Sequence, residues 1–470
     1  RKEINSYTPR TMISSNSRLV MLVLGLLLLS VSGHAQEGYT LQQCLGYAVE
    51  HNSNVKKSAY DREKAERARQ EVLGALLPQI SGSAGLNDNL KKAKFIMPNF
   101  MNNFLPEKMR DPNASEYMTI EMGTKYSANA GLALNQQLLN MSLFNTLDIA
   151  KVSKQMAELG ALSTEEDVIA QTATLYYGVQ VTQYAASQML RSVELVEQML
   201  LMMEVNYASG LVKKVDVDRL RVNLTNLKTQ QSAIESGLEV QKNLLKLQMG
   251  FEVTEPITIP PLDLSLPAQQ EIAVVAAPTF EPVRHVAYKQ LQQRERMAQL
   301  QERAKKYEYL PTLSLALNLQ YNHMSDQLFG GATNYGYPTA MVGVSLRMPI
   351  FSGGSRLAKV RESHLDLLKA QEDLHALDQS LRMAHLNASL KLKDTQRTIS
   401  LQEDNKALAE QVFDLAQKNY NLGVASLSDV LNASQSLVQA QMSYASALGD
   451  YMKAFIDLKK SKGEIRDLME

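Results

Sequence analysis

Apolar and polar residues follow two rhythms along this chain. From about Met141 to Tyr207, and again from about Ser352 to Tyr420, apolar residues recur at helical spacing with no intervening proline, in sequence rich in Gln, Glu, Lys, Leu and Ala. This predicts two helices of about 70 residues, each about 100 Å long at 1.5 Å per residue. Such lengths belong to coiled-coil-like assemblies and not to compact domains. A second helix follows each long one. Its seam keeps three-and-four spacing in both places, through Val217, Leu220, Leu224, Leu227, Gln231, Ile234, Leu238, Gln241 and Leu245, and through Val430, Ala433, Leu437, Ala440, Tyr444, Ala447, Tyr451, Ala454 and Leu458. A seam sustained for four heptads is a helix-packing surface, and the alanines of the second copy allow close approach.

The other rhythm has a period of two. From Pro311, Leu313, Leu315, Leu317, Leu319 and Tyr321 fall on one side, and Ser314, Ala316, Asn318, Gln320 and Asn322 on the other. Val342, Val344, Leu346, Met348 and Ile350 likewise alternate with Gly343, Ser345, Arg347 and Pro349. The stretches LLPQISGSAGLN from Leu76 and YSANAGLALNQQL from Tyr126 repeat the pattern more weakly. Four strands in two hairpins are predicted, each strand with one apolar and one polar face. A half-buried soluble sheet and a membrane barrel share this alternation. Four strands cannot close a barrel, for which about eight is the practical minimum, so a barrel requires several chains.

The chain is internally duplicated. NYASGLVKKVDV from Asn206 and NYNLGVASLSDV from Asn419 share N-Y-x-x-G-x-x-x-x-x-D-V, and the offset is 420 − 207 = 213 for the tyrosines and again 213 for Gly210/Gly423 and Asp216/Asp429. A repeat this long is a duplicated half-protein, not a solenoid unit. Each glycine stands just past a long helix, where a C-cap glycine is favoured. The expected organisation is an upstream segment and leader over 1–35, a first repeat over 36–250 (strand hairpin 78–139, tip turn 207–216), a proline-rich linker over 251–282, and a second repeat over 283–470 (strand hairpin 311–351, tip turn 420–429). The first strand hairpin exceeds the second by (139 − 78) − (351 − 311) = 21 residues. The excess lies in KKAKFIMPNFMNNFLPEKMRDPN from Lys91 and reads as a loop over or into a barrel mouth.

The leader is read from Arg18, the apolar run Leu19–Leu29 and the small residues before Gln36. Without residues 1–35 the chain keeps 49 − 4 = 45 basic and 49 − 1 = 48 acidic side chains, a balance that offers nucleic acid no electrostatic purchase. The lone cysteine, Cys44, reads as a small buried residue. His364, His375 and His385 lie 11 and 10 residues apart, not at the i, i+4 spacing of a zinc helix, so no metal ligand set is expected. Gly353-Gly354 has the position of a phosphate loop without its lysine or glycine spacing. No cofactor and no catalytic constellation is expected, and the chain does not read as an enzyme.

Tyr39-Thr40-Leu41 opening a short helix with Ala48-Val49-Glu50-His51-Asn52, then Leu77-Pro78, paired strands, a long helix, the repeated turn, a second helix, and the series again resemble the TolC-like outer-membrane efflux proteins over residues 39 to 465. The resemblance implies a mainly α homotrimer. Four strands per protomer would enter one 12-stranded outer-membrane β-barrel, and long antiparallel helices would form a periplasmic α-barrel. It implies lipid around the barrel, a periplasmic adaptor docking at the tips near Gly210, Leu211, Gly423 and Val424, and an inner-membrane pump behind the adaptor. It also implies a periplasmic gate, with Tyr420 hydrogen-bonded to Asp216, Asp429 in an acidic ring, Asn432 in place of a second ring aspartate, and Ala425 in place of a basic latch residue. Asp216 and Asp429 also fit a plainer role as helix caps. Lys213-Lys214 is more basic than the family pattern, and with no tryptophan an aromatic girdle falls to tyrosine and phenylalanine. The function implied is a passive exit duct for drugs or other small molecules. The same architecture serves protein secretion, and a periplasmic scaffold without a pore is the reading from another class.

Overall fold

A computed structural model describes residues 38–265, 280–328 and 334–470. The leader and residues 266–279 of the linker lie outside the described residues. Helix α1 (Leu41–His51) is opened by a capping box between Thr40 and Gln43, and α2 (Ser53–Gly74) follows after a break at Asn52. The long helices are α4 (Met141–Ala208) and α7 (Ser355–Asn421), close to their predicted bounds. Their successors are α5 (Lys214–Met249) and α8 (Leu427–Lys462), and α6 (Val286–Tyr307) leads the second repeat. The short α3 (Phe100–Phe104) lies within the insertion.

The residues group into two compact units. One comprises Asn54–Glu165 and Phe280–Ala384 and holds every strand of the described residues. Strands β1 (Gln79–Asp88), β4 (Tyr126–Leu139), β5 (Thr312–Ser325) and β6 (Asn334–Arg347) form one antiparallel sheet in the order β1-β4-β5-β6. Its register sorts the faces. Ile80, Leu134, Leu317 and Val342 form one row across the sheet, and Ser81, Ala133, Asn318 and Met341 form the next. Gly82, Leu132, Leu319 and Ala340 continue the first face, while Ser83, Gly131, Gln320 and Thr339 continue the second. Below the sheet, the buried Asn145 amide donates to the Leu300 carbonyl (2.8 Å), fixing α4 to α6.

Two strand expectations are corrected. Met348 and Ile350 are not in the sheet: β6 ends at Arg347, opposite Thr312, because Pro311 starts no further strand and Pro349 has no N–H to contribute. The insertion is not a plain loop. Strands β2 (Ala93–Pro98) and β3 (Tyr117–Met122) pair antiparallel as a separate hairpin. It is tied to the β5–β6 connection at Asp326, which pairs with Lys92 (2.8 Å) and accepts from the Lys125 amide (3.0 Å).

The other unit comprises the described residues of Arg1–Ser53, Glu166–Thr279 and His385–Glu470. All nine seam residues of α8 are buried. In α5 the ends of the seam, Val217 to Leu227 and Leu245, are buried, while Gln231 to Gln241 remain half-buried. The linker packs as an extended strip: Ile257, Ile259 and Leu262 are buried, the Pro260 carbonyl accepts from Gln180 (2.9 Å), and the Thr258 carbonyl accepts from the Tyr39 amide (2.8 Å). Cys44 is fully buried, and burial pushes its thiol up to about 12.

Candidate functional site at the repeated turns

Both repeated turns close in the same way. After α4, the Gly210 amide donates to Tyr207 O (2.9 Å) and the Leu211 amide to Asn206 O (2.9 Å). After α7, Gly423 donates to Tyr420 O (2.9 Å) and Val424 to Asn419 O (3.0 Å). These paired bonds are Schellman motifs, and both glycines sit at φ +75°, a left-handed conformation in which a side chain is strained. A Cβ at either glycine would meet nothing within 4 Å, so backbone angle and not crowding within the chain demands glycine. Residues next to the glycines are apolar yet open: Leu211 and Val424 are each 75% exposed and Leu422 is 77% exposed.

Beneath the turns, Met189, Val193, Val196, Met199 and Met203 of α4 pack with Val217, Leu220, Leu224 and Leu227 of α5, Phe413 of α7, and Leu427, Val430, Ala433 and Leu437 of α8. Four helices thus hold the two turns on one core. Between α5 and α8 an open groove of about 420 Å³ is lined by Val215, Asp218, Arg219, Val222, Leu431 and Asn432.

The gate residues do not make the expected bond within one chain. The Tyr420 hydroxyl donates to Met203 Sδ (2.9 Å) instead of to Asp216. Burial raises the Tyr420 pKa, with a further push from the Asp216 charge. Asp429 takes the plainer role: its carboxylate accepts from the Ser426 amide (2.9 Å) and hydroxyl (2.7 Å), and its own amide donates to Ser426 Oγ (3.3 Å). This capping box holds the Asp429 pKa below the ordinary aspartate value. The spacing Ser426-x-x-Asp429 carried that signal; the partnership of Tyr420 with Met203, 217 residues away, carried none. Asp216 occupies the matching position in α5, but the N-cap there is Lys213, which makes no side-chain cap, and Asp216 faces Arg219 at 3.8 Å.

Among the described residues, no group of three or more His, Cys, Asp or Glu is placed to hold a metal, and no helix is long and apolar enough to cross a membrane. Neither statement bears on a barrel, whose strands carry one apolar face each.

Residues 284–464 match the outer membrane efflux protein family. The outer membrane protein TolC of Escherichia coli is 21% identical over 464 residues, which is 96% of this chain and 87% of that protein. Across nearly its whole length the chain is similar to TolC-like outer-membrane efflux proteins. Its fold is that of the Campylobacter jejuni CmeC outer membrane channel, with a TM-score of 0.70 at 16% identity, covering 98% of this chain and 94% of that one. The alkaline protease secretion protein AprF of Pseudomonas aeruginosa is 26% identical over 202 residues, 42% of this chain and 38% of that protein. The likeness is thus to outer-membrane channel proteins, and the chain shares with them long helices and a four-stranded sheet.

Proposed function

We propose that three copies of this chain form the outer-membrane exit duct of a tripartite efflux system, open passively to drugs or other small molecules and without a catalytic step. The carrying observation is the sheet. It has four strands, no strand partner at β1 or β6 among the described residues, and one apolar face exposed at Ile80, Leu132, Val342 and Val344, with Val342 70% exposed. Unpaired edges cannot stand in a bilayer, where every backbone polar group must be satisfied internally. Joining β1 of one copy to β6 of the next satisfies both edges. Two copies give eight strands and a lumen filled by side chains, whereas three give twelve and leave an aqueous passage. The helices support the same assembly: Leu401, Leu408 and Leu415 stand exposed at strict seven-residue intervals along α7, and Leu422 continues the interval just past its end, a stripe suited to a neighbouring helix.

In this reading the repeated turns meet a periplasmic adaptor carried by an inner-membrane pump. Deleting the gene in its host should raise intracellular accumulation of a fluorescent efflux substrate, and restoring it should reverse the effect, with the protein recovered in the outer-membrane fraction. Recovery as a soluble periplasmic protein would sink the duct. The likeness to AprF favours protein secretion as the second reading. That reading requires loss of a secreted protein from the medium with drug accumulation unchanged.

A further inference from the structure

The two turns share a backbone but not a chemistry. Residues 211–221 carry Lys213, Lys214, Arg219 and Arg221 against Asp216 and Asp218, whereas residues 424–434 carry only Asp429. Within the first turn Arg219 faces Asp216 (3.8 Å), and Arg221 pairs with Glu204 (2.8 Å) and faces Asp218 (3.7 Å). Lys213 and Lys214 are exposed and, among the described residues, have no carboxylate partner. At the matching positions of the second turn, Ser426 is consumed by its capping box and Leu427 is buried at 5% exposure. The lysines flank exposed apolar surface, namely Leu211 and Val215, and Val215 opens into the groove toward Leu431 and Asn432.

We infer that the periplasmic partner meets the two turns of each chain with different chemistry: a carboxylate-bearing segment on Leu211-Val212-Lys213-Lys214, and a neutral, apolar one on Leu422-Gly423-Val424. This rests on the docking reading above and adds the partner's chemistry to it. The argument is charge complementarity. Two unpaired lysines beside an apolar contact repel a basic partner and attract an acidic one, and such complementarity sets which surface docks where. An uncharged partner helix gains nothing from them, while residues 419–434 of the second turn carry no basic group to attract a carboxylate, the one nearby being Lys418 in the last turn of α7. Around a ring of such chains the turns alternate in charge, so a partner that engages all of them presents two kinds of contact and not one repeated contact.

The test places a photo-crosslinking amino acid at Leu211 or at Val424 in the full-length protein in its own host, with and without the pair Lys213→Glu and Lys214→Glu. The expected result is a roughly tenfold loss of the Leu211 crosslink to the partner with the Val424 crosslink unchanged, in line with losing two ion pairs and gaining repulsion. Restoration by a carboxylate-to-lysine change in the partner should follow. An undiminished Leu211 crosslink in the charge-reversed chain overturns the inference and leaves docking intact. No crosslink to another protein from either position in the unaltered chain overturns docking itself. Crosslinks that join two copies of this chain assign the surface to the interface between copies and also overturn the inference. If charge reversal lowers assembly, Lys213→Gln with Lys214→Gln decides: a two- to threefold selective loss at Leu211 supports the inference, and equal yields refute it.

Discussion

A single arginine placed on either side of β5 separates the two faces of the sheet. Leu317 lies in the row Ile80, Leu134, Leu317, Val342, and Asn318 lies in the row Ser81, Ala133, Asn318, Met341, on the opposite face. Both are close to the centre of a 14-residue strand, longer than the 9–11 residues that a tilted strand needs to cross the hydrocarbon. On the lipid face near the midplane an arginine costs about 2–4 kcal/mol, and on the lumen face it remains hydrated. Three chains multiply the penalty for Leu317→Arg to about 6–12 kcal/mol per assembly, comparable with the whole stability of a domain. Asn318→Arg should cost nearly nothing by the same reasoning. The assay is the amount of assembled protein in the outer membrane that resists SDS at room temperature. Leu317→Arg should abolish it and Asn318→Arg should leave it near the level of the unaltered chain. Equal damage from the two, or tolerance of both, would refute the assignment of faces.

Other expectations concern the turns. Ser426→Ala removes the N-cap of α8 and should lower stability by about 1 kcal/mol, read as faster amide exchange in its first turn. Because the capping box depresses the Asp429 pKa, this contribution is present at neutral pH and is lost as pH falls through the aspartate range below 3.8, so the difference between Ser426→Ala and the unaltered chain should shrink there. Gly423→Ala should cost about 1–2 kcal/mol from its left-handed backbone alone. Gly250→Ala should lower the melting temperature further, since it combines φ +74° with a Cβ only 2.6 Å from the His51 carbonyl oxygen. Gly423→Trp, whose side chain meets open space within its own chain, should abolish efflux with assembled protein retained in the membrane; intact efflux would move docking elsewhere.

Much of this molecule is legible in sequence because its elements are long and periodic. The period of about 3.6 over Met141–Ala208 and Ser355–Asn421, the period of two around Leu315 and Val344, and the glycines at 210 and 423 each carry a local physical cause visible in one stretch of chain. What escaped depends on partners distant in sequence. The end of β6 at Arg347 is set by where β5 begins, and the Ala93–Pro98 pairing is set by Tyr117–Met122 across an intervening segment. At the candidate gate, the acceptor for Tyr420 of α7 is a methionine on α4, 217 residues away, for which no spacing rule exists. The half-buried middle of the α5 seam, Gln231 to Gln241, was not distinguishable from its buried ends by spacing, since glutamine at a seam position tolerates either environment.

Several chains must share one barrel, because four strands whose edges find no partner among the described residues cannot close alone. The native mass of the assembly extracted from the outer membrane in mild detergent tests this most directly. Three copies of the chain are predicted, giving twelve strands around a wet lumen. A mass corresponding to one copy or two would contradict the account.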